Sequence, residues 1–310
     1  MNSDGKIILF LFLDGVGLGL DDAHTNPFVR ASMPHLTSLL GGRKLVASSV
    51  PFLGERASLL SLDAGLGVGG LPQSATGQAV LLTGQNIPAA IGYHYGPKPN
   101  EPIAAYLRNG NLFSQLAARG RKSAFLNAYP PRYFEAIQSG KRIYSAIPLA
   151  ATSAGLRLKS SDDLLRGTAL AADFTAQGWH DHLGLTSTPV FPAYAAGQHL
   201  ARLAGEYDFS FFEYWLSDYA GHHQDMDQAV ELLETFDQVL GGLTESWDDT
   251  LGLILITSDH GNLEDLSTRR HTHNRVPALV IGAKPLRIQL CANLHSLLDI
   301  TPSILAFYDA

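Results

Sequence analysis

The sequence predicts an α/β fold: a three-layer αβα sandwich with a largely parallel central sheet and a small inserted cap lobe. Three observations carry this expectation. Short apolar runs recur in one format, "IILFLFL" closing on Asp14, "FSFFEYWLS" on Asp218 and "LGLILITS" on Asp259. Helix-spaced segments lie between them. The stretch 85–205 differs in texture, being rich in Pro, Tyr and Gly and free of any Asp-ended run. Unbroken apolar runs of this length suit strands covered by helices on both faces.

The elements follow in order. Ile7–Leu13 resembles a signal-peptide core, but it is only seven residues long and ends on Asp14 where a small-residue cleavage site would be needed. It is too short to span a membrane and is expected as a buried strand. "MPHLTSLLGG" (33–42) is expected as a helix closed by Gly. "NLFSQLAARG" (111–120) is a second helix stopped at Gly120, and "SAFLNAY" a strand after it. "MDQAVELLETFDQVLGGL" (226–243) has helical spacing and ends in Gly-Gly. "VPALVIG" (276–282) is a late strand, and "HSLLDITPSILAFY" a closing helix interrupted at Pro302. The expected division is a core of 1–84 and 206–310 with 85–205 inserted as a cap that selects the substrate.

Bulk composition narrows the function. With 310 residues, 45% hydrophobic and 16% charged, the chain can bury a sizeable core. A net charge of −7 argues against a general nucleic-acid binder. Cys291 is the one cysteine, which excludes an internal disulfide or a thiolate cage for zinc and fits a reducing, cytoplasmic setting. The charge sum hides 12 histidines.

The Asp-ended runs matter because open α/β sheets bind ligands beyond the carboxyl ends of their strands. Each Asp alone could merely cap the next helix. The neighbouring histidines make that poor for all three. "SDYAGHH" (217–223) sets Asp218 and His222 four apart, "SDHGN" (258–262) makes Asp259 and His260 adjacent, and "RRHTHNRVP" (269–277) adds His271 and His273. Mixed oxygen and nitrogen donors without sulfur suit Zn²⁺ or Mn²⁺, or Mg²⁺ where oxygen dominates. The donors are too many for one tetrahedral ion, so two divalent ions are expected. Such a pair can clamp the attacking and leaving oxygens of a displacement at phosphorus. It can also activate a hydroxyl that has no base of its own. "GLPQSATGQAVLLTG" (70–84) holds three such hydroxyls, on Ser74, Thr76 and Thr83.

Taken together, "LFLDGVGLG", "SATGQ", "DYAGH", "SDHGN" and "HTHNRVP" resemble, in order, the alkaline phosphatase superfamily of two-metal enzymes. They are most similar to its branch containing cofactor-independent phosphoglycerate mutase and phosphopentomutase. The resemblance implies one ion held by Asp218, His222 and His271. It implies a second held by Asp14, Asp259 and His260, with the nucleophile oxygen of Ser74 as a further ligand. His271 is preferred to His273 because His271-Thr272 begins the family's His-Thr-x-x-x-Val-Pro pattern. In related sulfatases and nucleotide pyrophosphatases the nucleophile lies nine residues before the Thr of a Thr-Gly pair. Counted back from Thr83-Gly84, that position is Ser74. The mutases' Ser-x-x-Gly-His agrees, with Gly77 matching and Gln78 in place of the His. Thr76 is the second candidate nucleophile. His223, His273 and Gln78 are candidates for a supporting role around the ions.

The expected function is a metal-dependent phosphohydrolase acting on a small phosphorylated substrate through a phosphoseryl intermediate. A phosphomutase is the alternative; against it stand Gln78 and a cap shorter than the mutases' inserted domain. A non-catalytic metal-binding protein is the third reading. Sulfatase is disfavoured because "SATGQ" lacks the Cys/Ser-x-Pro-x-Arg signature. Between Arg108 and Arg142 lie seven basic residues and one acid, Glu135. Arg108, Arg132 and Arg142 are therefore the expected substrate-binding residues.

Overall fold

A computed structural model describes residues 6–310. Its centre is a seven-stranded sheet built from β1 (Ile7–Leu13), β2 (Phe52–Leu53), β3 (Ala57–Leu62), β4 (Ser123–Phe125), β7 (Phe209–Tyr214), β8 (Gly252–Thr257) and β9 (Val276–Ile281), in the order β2-β3-β9-β8-β1-β7-β4. The other two strands, β5 (Ala128–Tyr129) and β6 (Lys159–Ser160), form a small separate sheet. β1 pairs in parallel with β7 and β8, and β4 with β7. On the other flank β8–β9, β9–β3 and β3–β2 are antiparallel.

Alternation along β1 divides the core. Ile8, Phe10 and Phe12 face one helical layer, formed by Ser74–Thr83, Glu101–Asn109, Leu112–Ala118, Ala146–Ser153 and Ile300–Asp309. Leu9, Leu11 and Leu13 face the other, formed by Pro34–Leu39, Ala193–Ala204 and Met226–Glu245. The expected sandwich is therefore present. Phe10 and Phe211 pack with ring centroids 4.6 Å apart, and each such side chain taken from water contributes roughly 1.5–3 kcal/mol. No described helix is long and apolar enough to cross a membrane.

Several local expectations are corrected. The helix expected to stop at Gly241-Gly242 runs on to Glu245. Both glycines serve close approach. A Cβ on Gly242 would lie 1.9 Å from the carbonyl oxygen of Tyr194, and one on Gly197 1.9 Å from that of Val239. The two long helices thus meet backbone to backbone. Pro302 does not interrupt the last helix. It is the third residue of Ile300–Asp309, in the first turn, where no amide is required. "SAFLNAY" breaks after Phe125. The Asn127 side chain then bonds both the N–H and the C=O of Glu213, at 2.8 Å each, in place of a ladder. Finally, β7 ends at Tyr214, so Asp218 sits on the Leu216–His223 helix rather than at a strand tip.

The stretch 85–205 also builds the core. It supplies the edge strand β4 and the helix Ala193–Ala204 packed on Met226–Glu245. Ile103, Leu107, Phe113 and Ile147 share one apolar cluster with β1. A smaller satellite cluster forms around Leu164, Phe174's neighbour Ala176 and Trp179.

Candidate active site

Parallel pairing sets the carboxyl ends of β1, β7 and β8 side by side. Asp14 follows β1 directly. Ser258, Asp259 and His260 follow β8, and the turn after β7 leads into the helix carrying Asp218 and His222. Asp259 and His260 are fully buried, and Asp14 nearly so.

Two groups of donor atoms converge there. In one, His260 Nε2 lies 3.4 Å from Asp14 Oδ1 and 3.5 Å from Asp259 Oδ2. In the other, Asp218 lies 3.3 Å from His222 Nε2 and 3.7 Å from His271 Nε2, and these two nitrogens are 3.3 Å apart. His260 bridges the groups: its ring stacks on His271 at 3.7 Å, and it clusters with Asp218 and His271 as well as with Asp14 and Asp259. The rings are aimed by main chain. His222 Nδ1 donates to the carbonyl of Arg269 and His271 Nδ1 to that of Pro72, both at 2.8 Å. Each Nε2 is thereby left with its lone pair toward the cluster.

Ser74 completes the constellation. It opens the helix Ser74–Thr83, and its Oγ lies 3.0 Å from His260 Nε2. The helix can come this close because position 77 is glycine; a Cβ there would lie 2.9 Å from Asp259 Cβ. Gln78, one turn on, donates through Nε2 to Asp14 Oδ2 at 3.3 Å and Asp259 Oδ2 at 3.2 Å.

Electrostatics mark the centre as short of positive charge. Burial, then Asp259, drives the Asp14 carboxyl well above its ordinary range, and burial raises Asp259 as well. Burial opposes charge on His260, but Asp259, Asp14 and Asp218 outweigh it and push its pKa up to about 10. His271 is lowered to about 4, by burial and then by His260. For Asp218, hydrogen bonds from His222 and Asn262 and the charge of His260 outweigh burial and hold it well below the usual range.

The residues fit divalent cations. Their donors are carboxylate oxygens and imidazole nitrogens. Asp14 Oδ1 and Gln78 Oε1 are buried without a hydrogen-bond partner, a costly state that a cation at Asp14 would relieve. Asp14, Asp259 and His260 would hold one ion, and Asp218, His222 and His271 the other.

Other expected residues fall elsewhere. Thr76 is fully buried, and its hydroxyl donates to the carbonyls of Gln73 and Tyr95 and accepts from the Tyr95 amide at 3.1 Å. It anchors the loop 93–97 rather than facing the cluster. His223 is exposed, bonded to the Tyr219 carbonyl and packed on the Tyr219 ring. His273 is exposed and belongs to neither donor group. Arg108 is paired with Glu101 at 2.7 Å, Arg132 is exposed, and Arg142 lies over the Tyr133 ring. Arg108 and Arg142 line a cavity of about 220 Å³ that includes none of the donor residues.

Three residues were not singled out from sequence. Asn262 Nδ2 donates to Asp218 Oδ1 at 2.7 Å. Glu264 accepts hydrogen bonds from the Gly17 and Asn262 amides. Glu213 is buried in β7, and its pKa is raised to about 7 by burial and then by Asp259. Asn262 and Glu264 lie within four residues of His260, so closeness to "SDHGN" was their available signal.

An α/β sandwich with two oxygen-and-nitrogen donor groups at its strand ends has the make-up of a metalloenzyme. Residues 190–309 match the family model of the Metalloenzyme superfamily. The 2,3-bisphosphoglycerate-independent phosphoglycerate mutase of Methylobacillus flagellatus is 32% identical over 127 residues, covering 38% of this chain and 24% of that protein. That of Chromobacterium violaceum is 36% identical over 110 residues, covering 33% and 21%. The chain thus spans about a quarter or less of the length of these curated relatives. In fold, alkaline phosphatase from the Antarctic bacterium TAB5 aligns with a TM-score of 0.55 at 14% identity, over 98% of this chain and 97% of that one. The PH0037 protein of Pyrococcus horikoshii aligns at 0.51 and 15% identity, over 89% and 85%. The chain thus matches the Metalloenzyme superfamily model over residues 190–309 and shares the fold of that alkaline phosphatase over nearly its whole length.

Proposed function

We propose that the protein is a metal-dependent phosphohydrolase in which Ser74 attacks a small phosphoester and becomes transiently phosphorylated. The observation that carries this reading is the Ser74 hydroxyl at a helix start, in contact with His260 between the two donor groups. Two divalent ions, zinc or manganese by the donor set, would supply positive charge against the attacking, leaving and non-bridging oxygens. The chain's residues do the rest. Asp14, Asp259 and His260 would hold the first ion, and Gln78 keeps both of their carboxylates in place. In the first turn of the Ser74 helix the Thr76 amide is taken by Tyr95 and that of Gly77 by Gln73. The Ser74 and Ala75 amides make no hydrogen bond among the described residues, so they remain available to a phosphoryl oxygen. A cytoplasmic setting suits a small phosphorylated metabolite.

A phosphomutase is the second reading, favoured by the curated relatives, which are mutases. It shares the first half-reaction and returns the phosphoryl group to another hydroxyl of the substrate. Metal-loaded protein incubated with a panel of phosphomonoesters and phosphodiesters separates the two. Free phosphate with a phosphorylated Ser74 is expected; isomerised product without phosphate release overturns the hydrolase.

A further inference from the structure

We propose that Glu264 is a positioning residue that ties the two donor groups together, so that both bind their ions normally only while its carboxylate is in place. The inference rests on the two-ion reading above.

Glu264 is 1% exposed, and no Lys, Arg or His pairs with it among the described residues. Its Oε2 accepts from the main-chain amides of Gly17 at 2.9 Å and Asn262 at 2.8 Å. Its Oε1 accepts from the Thr272 hydroxyl and from Asn274 Nδ2, the latter at 3.0 Å. These donors lie on three separate loops. Gly17 follows Asp14, Asn262 follows His260, and Thr272 is joined to His271. Asn262 passes the link on by donating to Asp218. One carboxylate therefore reaches both donor groups, through the chain neighbours of their residues and through the Asn262 side chain.

The surrounding glycines show how closely the loops shut on it. A Cβ on Gly17 would lie 2.3 Å from Glu264 Oε1, and one on Gly261 2.2 Å from the same atom. One on Gly19 would lie 2.7 Å from the Glu264 carbonyl oxygen. The acceptor count also requires an acid. A carboxylate can take all four donors, whereas the amide of Gln offers one oxygen and would turn N–H groups against two of them. Charge-assisted bonds of this kind are the stronger class. Partners behind metal ligands typically change metal affinity about 10–100-fold.

The test compares wild type with Glu264→Gln and Thr272→Val by calorimetric Mn²⁺ titration and by metal content after dialysis. Circular dichroism and the metal-free melting temperature are recorded alongside. Wild type is expected to bind two ions. The folded Glu264→Gln protein should bind both at least about tenfold more weakly. Thr272→Val, which leaves the carboxylate in place, should weaken chiefly the ion of Asp218, His222 and His271. A merely structural role would lower the metal-free melting temperature and leave affinity unchanged. Wild-type affinity at either site in folded Glu264→Gln overturns the proposal. If that variant fails to fold, wild-type affinity at both sites in Thr272→Val does so instead. Failure of wild type to bind two ions is a separate outcome; it removes the two-ion reading and this proposal with it.

Discussion

The Ser74 hydroxyl lies 3.0 Å from Nε2 of His260, a residue 186 positions further along the chain. Two independent features bring them together. Ala75, Ala79 and Leu82 press the Ser74 helix onto the sheet, and β8 delivers His260 to its carboxyl end.

Replacing Ser74 by Ala should lower turnover by at least about 10³-fold, since a nucleophile cannot be spared. Thr76→Ala should keep most turnover and lose about 1 kcal/mol of stability, the worth of a loop-anchoring hydrogen bond. Steady-state rates and thermal melts of the two variants check this. Reversed phenotypes would falsify the assignment of Ser74.

Ion binding should release protons. His260 is protonated in the ion-free protein, with a pKa of about 10, and an imidazole must be neutral to coordinate. Affinity should therefore climb as pH rises toward that value. Calorimetry at pH 7 in two buffers of different ionisation enthalpy measures the number released. At least one proton per loaded protein is expected, and none would contradict the picture.

Glu213 should make stability fall with rising pH. Its pKa is raised from an ordinary 4.5 to about 7 in the folded protein, so the folded state favours the protonated form. Below the unfolded value both states are protonated and there is no penalty. The penalty builds as pH rises between the two values and is complete above the folded one. Glu213→Gln should thus stabilise the ion-free protein at pH 8, on the order of 3 kcal/mol, and far less at pH 4.5. Urea melts at both pH values decide it; an equal effect at each would refute it.

Gly242→Ala should damage the fold without touching the chemistry. Its methyl group would meet the Tyr194 carbonyl at 1.9 Å, an overpacking that costs about 1–3 kcal/mol or more. The melting temperature should drop while activity per folded molecule is retained.

The six residues expected as ion ligands lie close together because each sits in a short motif attached to an apolar run, and the parallel sheet brings such ends together. Gln78 was legible as a departure within its motif. Glu264 was not, because its partners are mostly main-chain amides and short polar side chains that no spacing announces. The arginines lie apart from the donor groups for a related reason. A basic bias between residues 108 and 142 fixes no direction, and Arg108 found a local partner in Glu101. Gly241-Gly242 resembles a helix stop in sequence because glycine commonly ends helices; only the neighbouring helix reveals that room is needed there instead.

The aim of His222 and His271 comes from the carbonyls of Arg269 and Pro72. A carbonyl is present whatever side chain its residue carries. The course of the loop therefore directs these rings, and they should tolerate sequence drift at positions 269 and 72. A one-residue insertion or deletion in either loop would be far more damaging than a substitution at either carbonyl.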